Sequence, residues 1–230
     1  MSSFKNIFQF LEIYGGTKFI SDLNKSNYNE EKYRDITNLK IAAYDEFWKE
    51  IFSQISPYLK DRESKQIYKI QNWQDNGNIY DYFEIQIKDK EKLNYGSNIS
   101  ITATKDKVDI KIDYDYINEV NKNGIINHNK YILNLDKWKE IYNVHLDRYY
   151  LFYEKESNMN KISLNDFMKN EDLKSYIVEK IKSSEECRVV VGKEFDKNYV
   201  LDSNIFQLEI AQSINELNFL YEKAIDDYLK

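Results

Sequence analysis

Lys107-Val108-Asp109-Ile110-Lys111-Ile112-Asp113-Tyr114-Asp115-Tyr116 is the stretch that decides the fold class. Every even position is apolar or aromatic, and every odd position is a lysine or an aspartate. Successive side chains of a strand point to opposite faces, so a period of two marks a strand with one dry face and one polar face. A helix would scatter the same residues around its circumference.

The same period recurs on the N-terminal side. Ile99, Ile101 and Ala103 alternate with Ser100, Thr102 and Thr104. Ile79, Phe83, Ile85 and Ile87 alternate with Tyr80, Tyr82, Glu84, Gln86 and Lys88, and residues 66–72 alternate weakly. Asp75-Asn76-Gly77-Asn78 and Lys105-Asp106 are links of hairpin length. Residues 66–117 are therefore expected to form an antiparallel meander with one solvated face.

Helical periods flank this region. Tyr44, Phe47, Trp48, Ile51, Phe52 and Ile55 recur at three- and four-residue steps, predicting a long helix over 30–56 that the only proline, Pro57, ends. Ile210, Ile214, Leu217, Tyr221, Ala224 and Tyr228 predict a second, running almost to Lys230, with Asn204 and Gln207 at capping-box spacing. Residues 4–14 read equally as helix or strand. Asp136 is expected to cap a short helix reaching Asn143, and 146–155 to form a strand. Ser163 and Asn170 are expected to cap helices over 164–169 and 171–183, and Cys187–Val191 to form a short strand. The fold class expected is α+β: the 66–117 sheet packed by long N-terminal and C-terminal helices, as a single domain over 1–230. Residues 118–130, Asn-rich and polar, read as a loop and mark the one candidate seam.

Composition narrows the function. The 230 residues are 42% hydrophobic and 31% charged, enough apolar matter for a sizeable core. No stretch approaches the roughly 18 apolar residues of a membrane span. A single cysteine, Cys187, excludes a disulfide framework and a multi-cysteine zinc site. Of the 33 basic residues only Arg34, Arg62, Arg148 and Arg188 are arginine, and the net charge is −6. Sequence-specific DNA readers rely on arginine forks and basic faces, so that function is not expected. The Lys, Asn, Ile and Tyr bias fits AT-rich codons and hence a low-GC bacterium, its phage or a mobile element. The opening MSSFKNIFQFLEIYGG lacks the unbroken apolar core of a signal peptide, which makes a cytoplasmic location the expectation.

Several residue sets bear on chemistry. Gly15-Gly16-Thr17-Lys18 has the residue types of a phosphate-binding loop in the wrong order and spacing, and reads as a glycine turn. Asp75 followed by Gln86-Ile87-Lys88 is a loose match to the metal site of restriction-type nucleases, where two acidic groups hold Mg²⁺ and a lysine steadies the attacking water. Gln in place of Glu weakens that match. Asp109, Asp113 and Asp115 share one strand face with Lys107 and Lys111 interleaved, which removes the need for a cation. Neither His128 nor His145 has a ligand-spaced partner, so no metal site and no cofactor are expected. Tyr80, Tyr82, Glu84, Asp109, Asp113 and Asp115 instead describe a tyrosine–carboxylate surface of the kind proteins use to bind one another. The function expected is a non-catalytic module that binds a protein. Its most specific version is a phage or mobile-element inhibitor, of anti-CRISPR or anti-restriction type, that offers acidic groups to a host nucleic-acid-targeting defence enzyme. The alternative is a Mg²⁺-dependent nuclease or defence effector using Asp75, Gln86 and Lys88.

Overall fold

The period-two segments pair edge to edge into a single large sheet. The computed structural model describes residues 2–19, 25–26, 28–40, 47–71, 74–75, 77–115, 124–155, 158–183 and 187–226. The strands are β1 (Lys65–Ile70), β2 (Gln74–Asp75), β3 (Asn78–Ile79), β4 (Tyr82–Asp89), β5 (Ser97–Thr104), β6 (Lys107–Tyr114), β7 (Tyr149–Lys155), β8 (Asn158–Ser163) and β9 (Val189–Asp196). Seven of them form one sheet in the order β1-β4-β5-β6-β9-β7-β8, each neighbouring pair antiparallel. The architecture is α+β with an antiparallel sheet.

The meander β1-β4-β5-β6 follows the alternating sequence, with two differences. The expected strand over 79–88 breaks at Tyr80-Asp81, and β2 and β3 form a separate two-stranded hairpin. That hairpin is held by the segment after the first helix: Gly16 N–H donates to Ile79 at 3.0 Å, Ile79 N–H donates to Thr17 at 2.9 Å, and Lys18 bridges Asn78. Gly16 sits at φ +73°, a conformation other residues adopt at a cost, so the glycine pair makes a turn. The second difference is larger. β9, expected to end at Val191, runs to Asp196 and inserts between β6 and β7.

The helices are α1 (Ser2–Tyr14), α2 (Glu30–Lys40), α3 (Phe47–Ile55), α4 (Gly124–Asn129), α5 (Leu135–Tyr142), α6 (Leu164–Lys169), α7 (Glu171–Ser183), α8 (Lys197–Asp202) and α9 (Phe206–Asp226). Both described portions of the expected 30–56 helix are helical; Tyr44 and residues 41–46, like Tyr116, residues 118–123 and Tyr228, lie outside the described residues. Asp136 is not the cap of α5. Asn134 holds that position, and Asp136 lies in the first turn, where a carboxylate meets the positive end of the helix. Asn170 does cap α7, accepting from Leu173 N–H at 3.0 Å. Residues 124–129, expected as loop, are helical, and Gly124, Ile125, His128 and Asn129 are buried. The polar composition misled because these side chains face protein partners instead of water. Among the described residues no helix is long and apolar enough to cross a membrane.

The dry face of the sheet carries Phe83, Ile85, Ile87, Ile99, Ile101, Ala103, Val108, Ile110 and Ile112, all essentially inaccessible. α9 lies across β5 and β6 and buries Ile210, Ile214, Leu217, Tyr221 and Ala224 there. α3 packs on α9 through its buried Trp48, Ile51 and Ile55, and α1 reaches β5. Lys65 and Asp89 close one end of this layer as a buried ion pair. The Lys65 ammonium lies 5.0 Å from the Tyr221 ring centre, and Asp89 N–H donates to the Tyr221 hydroxyl at 3.2 Å.

Entry into β9 is fixed by α4. The Asn129 amide donates to Cys187 O and accepts from Val189 N–H at 3.1 Å, while the Tyr131 hydroxyl donates to Val189 O at 3.0 Å. Asn129 is fully buried, so replacing it strands two backbone groups away from water. Asn129→Leu, close in volume, is expected to lower stability in urea denaturation by about 2–3 kcal/mol. A loss below about 0.5 kcal/mol, within the range of ordinary surface changes, would show that the clasp does not hold β9.

Candidate functional site

The odd-numbered residues of β6 and their cross-strand neighbours do share one face, but much of that face is closed to water. Gln86, Lys88, Asp109, Asp113 and Asp115 are all buried, from 0% exposed at Lys88 to 8% at Asp109. This corrects the expectation of a solvated surface. Alternation identifies which side chains share a face; it does not report what lies over them. Here the cover is their own density, together with Arg188 at the entry to β9 and Tyr150 on β7.

Five carboxylates and five cations form a lattice on this face. Glu84 lies 3.6 Å from the Lys111 ammonium and accepts from the Thr102 hydroxyl at 2.9 Å. Lys111 also pairs with Asp113 at 2.9 Å, and Asp113 receives Arg188. Lys107 is shared between Asp109, at 3.4 Å, and Glu194, which Lys161 also reaches. Lys69 pairs with Asp115 at 3.2 Å. Each carboxylate expected to be presented to a partner is therefore matched by a cation of the same chain.

Burial and pairing compete at each group. Burial pushes the Asp109 carboxyl up to about 6, against the opposing pull of Lys107. Burial also raises Glu194, but hydrogen bonds from Lys107 and Lys161 outweigh it, and that carboxyl lies below its ordinary value. Glu194 thus holds the larger share of Lys107. Burial lowers the Lys111 ammonium, offset in part by Glu84, and lowers the Arg188 guanidinium.

The tight fit extends to the backbone. A Cβ on Gly192 would stand 2.6 Å from the Tyr150 hydroxyl oxygen and 2.8 Å from Lys111 Cβ. Glycine is needed for the Tyr150 ring to lie across β9, where the Lys161 ammonium sits 4.1 Å from its centre.

A cleft of about 580 Å³ opens beside the lattice. It brings together Tyr82, Glu84, Asp113 and Asp115 of the expected binding set and Gln86 of the nuclease set, and adds Lys69, Thr102, Lys111 and Arg188. Tyr80 stacks on Tyr82 with ring centres 5.3 Å apart. Asp109 belongs to the lattice but does not line the cleft. Five buried polar atoms on this face have no hydrogen-bond partner among the described residues: Gln86 Oε1, Asn98 Oδ1, Ser100 Oγ, Asp109 Oδ1 and Arg188 Nε.

The nuclease set does not assemble in the same way. Asp75 is on the separate hairpin, paired with Asn78, and is not part of the cleft. Lys88 is wholly buried; its ammonium donates to Tyr95 O at 2.5 Å and lies 3.9 Å from the Tyr68 ring centre. Burial lowers it to about 8. Among the described residues no three His, Cys, Asp or Glu side chains group around one point as metal ligands. His128, expected in a loop, is buried on α4, with Nδ1 2.9 Å from Ser97 Oγ and burial pushing it down to about 3. It stays neutral at ordinary pH.

Arg188, Lys69, Lys161 and Glu194 were not found by the sequence reading. Arg188 and Glu194 arrive through the β6–β9 pairing, about 80 residues apart in sequence, which no local pattern reports. Lys69 and Lys161 come from the outer strands β1 and β8.

A model of a protein family matches residues 16–224, so the chain belongs to that family, one of uncharacterised function. No curated protein matches the sequence.

The raised Asp109 pKa has a signed consequence. Between 3.8 and about 6 the native state binds more protons than the unfolded chain, so its stability rises as pH falls through that window. At pH 7 the cost of ionised, buried Asp109 is present in full. Asp109→Asn is expected to stabilise the protein by about 2 kcal/mol at pH 7, and the gain to vanish below about pH 4. Chemical denaturation of both proteins at several pH values checks this. A variant that is less stable at pH 7 would contradict the assignment.

Proposed function

We propose, for a member of a family whose description brings no activity with it, that this chain is a non-catalytic binding module whose recognition surface is the cleft on the polar sheet face and whose partner is a protein. The observation that carries this reading is the cleft itself, with two buried polar atoms of its lining residues, Gln86 Oε1 and Arg188 Nε, left without partners among the described residues. Buried donors and acceptors cost free energy when unmatched, and a polar segment of a partner would match them. The Tyr80–Tyr82 pair supplies rigid contact area at the edge, at low entropy cost. The ion-pair lattice behind it fixes the cleft before a partner arrives, which reduces the ordering cost of binding.

The acidic-inhibitor version needs carboxylates free to meet a basic channel. On this face Glu84, Asp109, Asp113 and Asp115 are engaged by lysines or by Arg188, so its support is the net charge of −6 alone. A cytoplasmic setting forms part of the proposal; the one cysteine of the sequence, Cys187, is buried.

The test is a tagged pull-down from a low-GC bacterial lysate, treated with nuclease, using the native chain, a Tyr80→Ala/Tyr82→Ala double variant, and Ile141→Ala. Ile141 is exposed on α5, away from the polar face. A stoichiometric protein is expected on the native chain and on Ile141→Ala. The double variant should retain its melting temperature and lose at least about tenfold in affinity. Equal capture by the double variant would remove the cleft from the binding surface, and recovery of nucleic acid alone would overturn the reading.

A further inference from the structure

Lys193 is the one charged residue of β9 that points to the apolar, helix-covered side. Its register partners are Ile110 on β6 and Tyr149 on β7, both core residues. It is 5% exposed and has no hydrogen bond or ion pair among the described residues. Its ammonium lies between two rings, 5.6 Å from the centre of Tyr149 and 5.2 Å from that of Phe195. Burial lowers this ammonium below its ordinary value, and the Glu216 and Glu209 carboxylates, which pull the other way without pairing with it, do not make up the difference.

Lys193 lines a cavity of about 500 Å³, a size typical of small-molecule sites. Tyr149, Phe195 and Tyr199 form aromatic walls, and the exposed Arg148, also without a partner among the described residues, lines the same cavity. Asp147, Glu194, Asp196 and Glu209 line the cavity as well, and each already accepts from another donor. Asp147 accepts from Asn165 at 2.7 Å, Asp196 caps α8 through Tyr199 N–H at 3.0 Å, and Glu209 accepts from the Tyr199 hydroxyl. Glu194 pairs with Lys107 and Lys161 at the edge of the cavity. Glu216 accepts from the Tyr149 hydroxyl and from Gln212 at 2.8 Å. Two cations with free donors remain, beside aromatic walls.

We propose that this cavity is a second binding site, separate from the polar cleft, for a small organic anion whose phosphate or carboxylate meets Lys193 and Arg148 and whose planar body lies against Tyr149, Phe195 and Tyr199. It does not rest on the protein-binding reading, because the cavity and the polar cleft share no lining residue.

Pyridoxal 5′-phosphate is a suitable probe, since Arg148 can hold its phosphate while its planar ring lies against the aromatic walls and its aldehyde meets Lys193. The Lys193 amine adds to the aldehyde carbon, water leaves, and hydride from borohydride reduces the imine, leaving a stable phosphopyridoxyl group for peptide mapping. The full chain is treated with an equimolar amount of probe. Lys193 is expected to carry most of the label, ahead of the other 28 lysines. Millimolar inorganic phosphate or Arg148→Ala should reduce that labelling about tenfold, in line with loss of a charge-assisted contact. Labelling confined to exposed lysines, or labelling of Lys193 indifferent to phosphate, would overturn the site. Lys193→Met gives an independent check. Its melting temperature is expected to equal or exceed that of the native chain, and a clear fall would make Lys193 a structural residue instead.

Discussion

Strand β6 is hydrogen-bonded on both edges, by β5 and by β9, and is covered on both faces. Its two lysines keep part of their side chains in water; its other side chains are buried. On the dry face that burial is matched by apolar packing beneath α9. On the other, two aspartates and two lysines, with Asp115 just beyond the strand, must find partners within the protein, and the remainder of the polar face is arranged around that need. Arg188, Lys69, Glu84, Glu194 and Lys161 supply the matching charges. The members differ in what their loss leaves behind: without Asp109, Lys107 keeps Glu194, whereas without Arg188 the buried Asp113 keeps Lys111 alone.

The lattice also explains how distant segments are held in register. Arg188 reaches Asp113 only because Asn129 of α4 grips the backbone on either side of it. Gly192 admits the Tyr150 ring, which in turn lies under Lys161 of β8. The polar face thus ties the late strands β7, β8 and β9 to the early meander. A continuous apolar cluster does the same on the opposite side, with members from α1 through α9.

Much of this was legible locally. Alternation placed β4, β5 and β6 and sorted their residues onto two faces, because side-chain direction in a strand depends on position alone. The three-four period of Ile210, Ile214, Leu217 and Tyr221 likewise placed α9, and Asn170 marked the start of α7. The failures share a cause. β9 between β6 and β7, the burial of Asp113 and Asp115, and the helix at 124–129 all depend on partners remote in sequence. A lysine at Lys111 looks the same in sequence whether water or Glu84 satisfies it. Of the candidate site, the members on β4 and β6 could be named in advance, whereas Arg188, Lys69, Lys161 and Glu194 could not.

The central claim is that the polar face is an internally neutralised lattice and not a solvated surface. A double-mutant cycle on Arg188 and Asp113, which join β9 to β6, tests it most directly. Stability is measured for the native chain, Arg188→Met, Asp113→Asn and the double variant, at low salt and in about 1 M NaCl. A buried pair predicts a coupling energy above about 1 kcal/mol that survives high salt. A coupling below about 0.5 kcal/mol that disappears in salt is the behaviour of an exposed pair and would contradict the account.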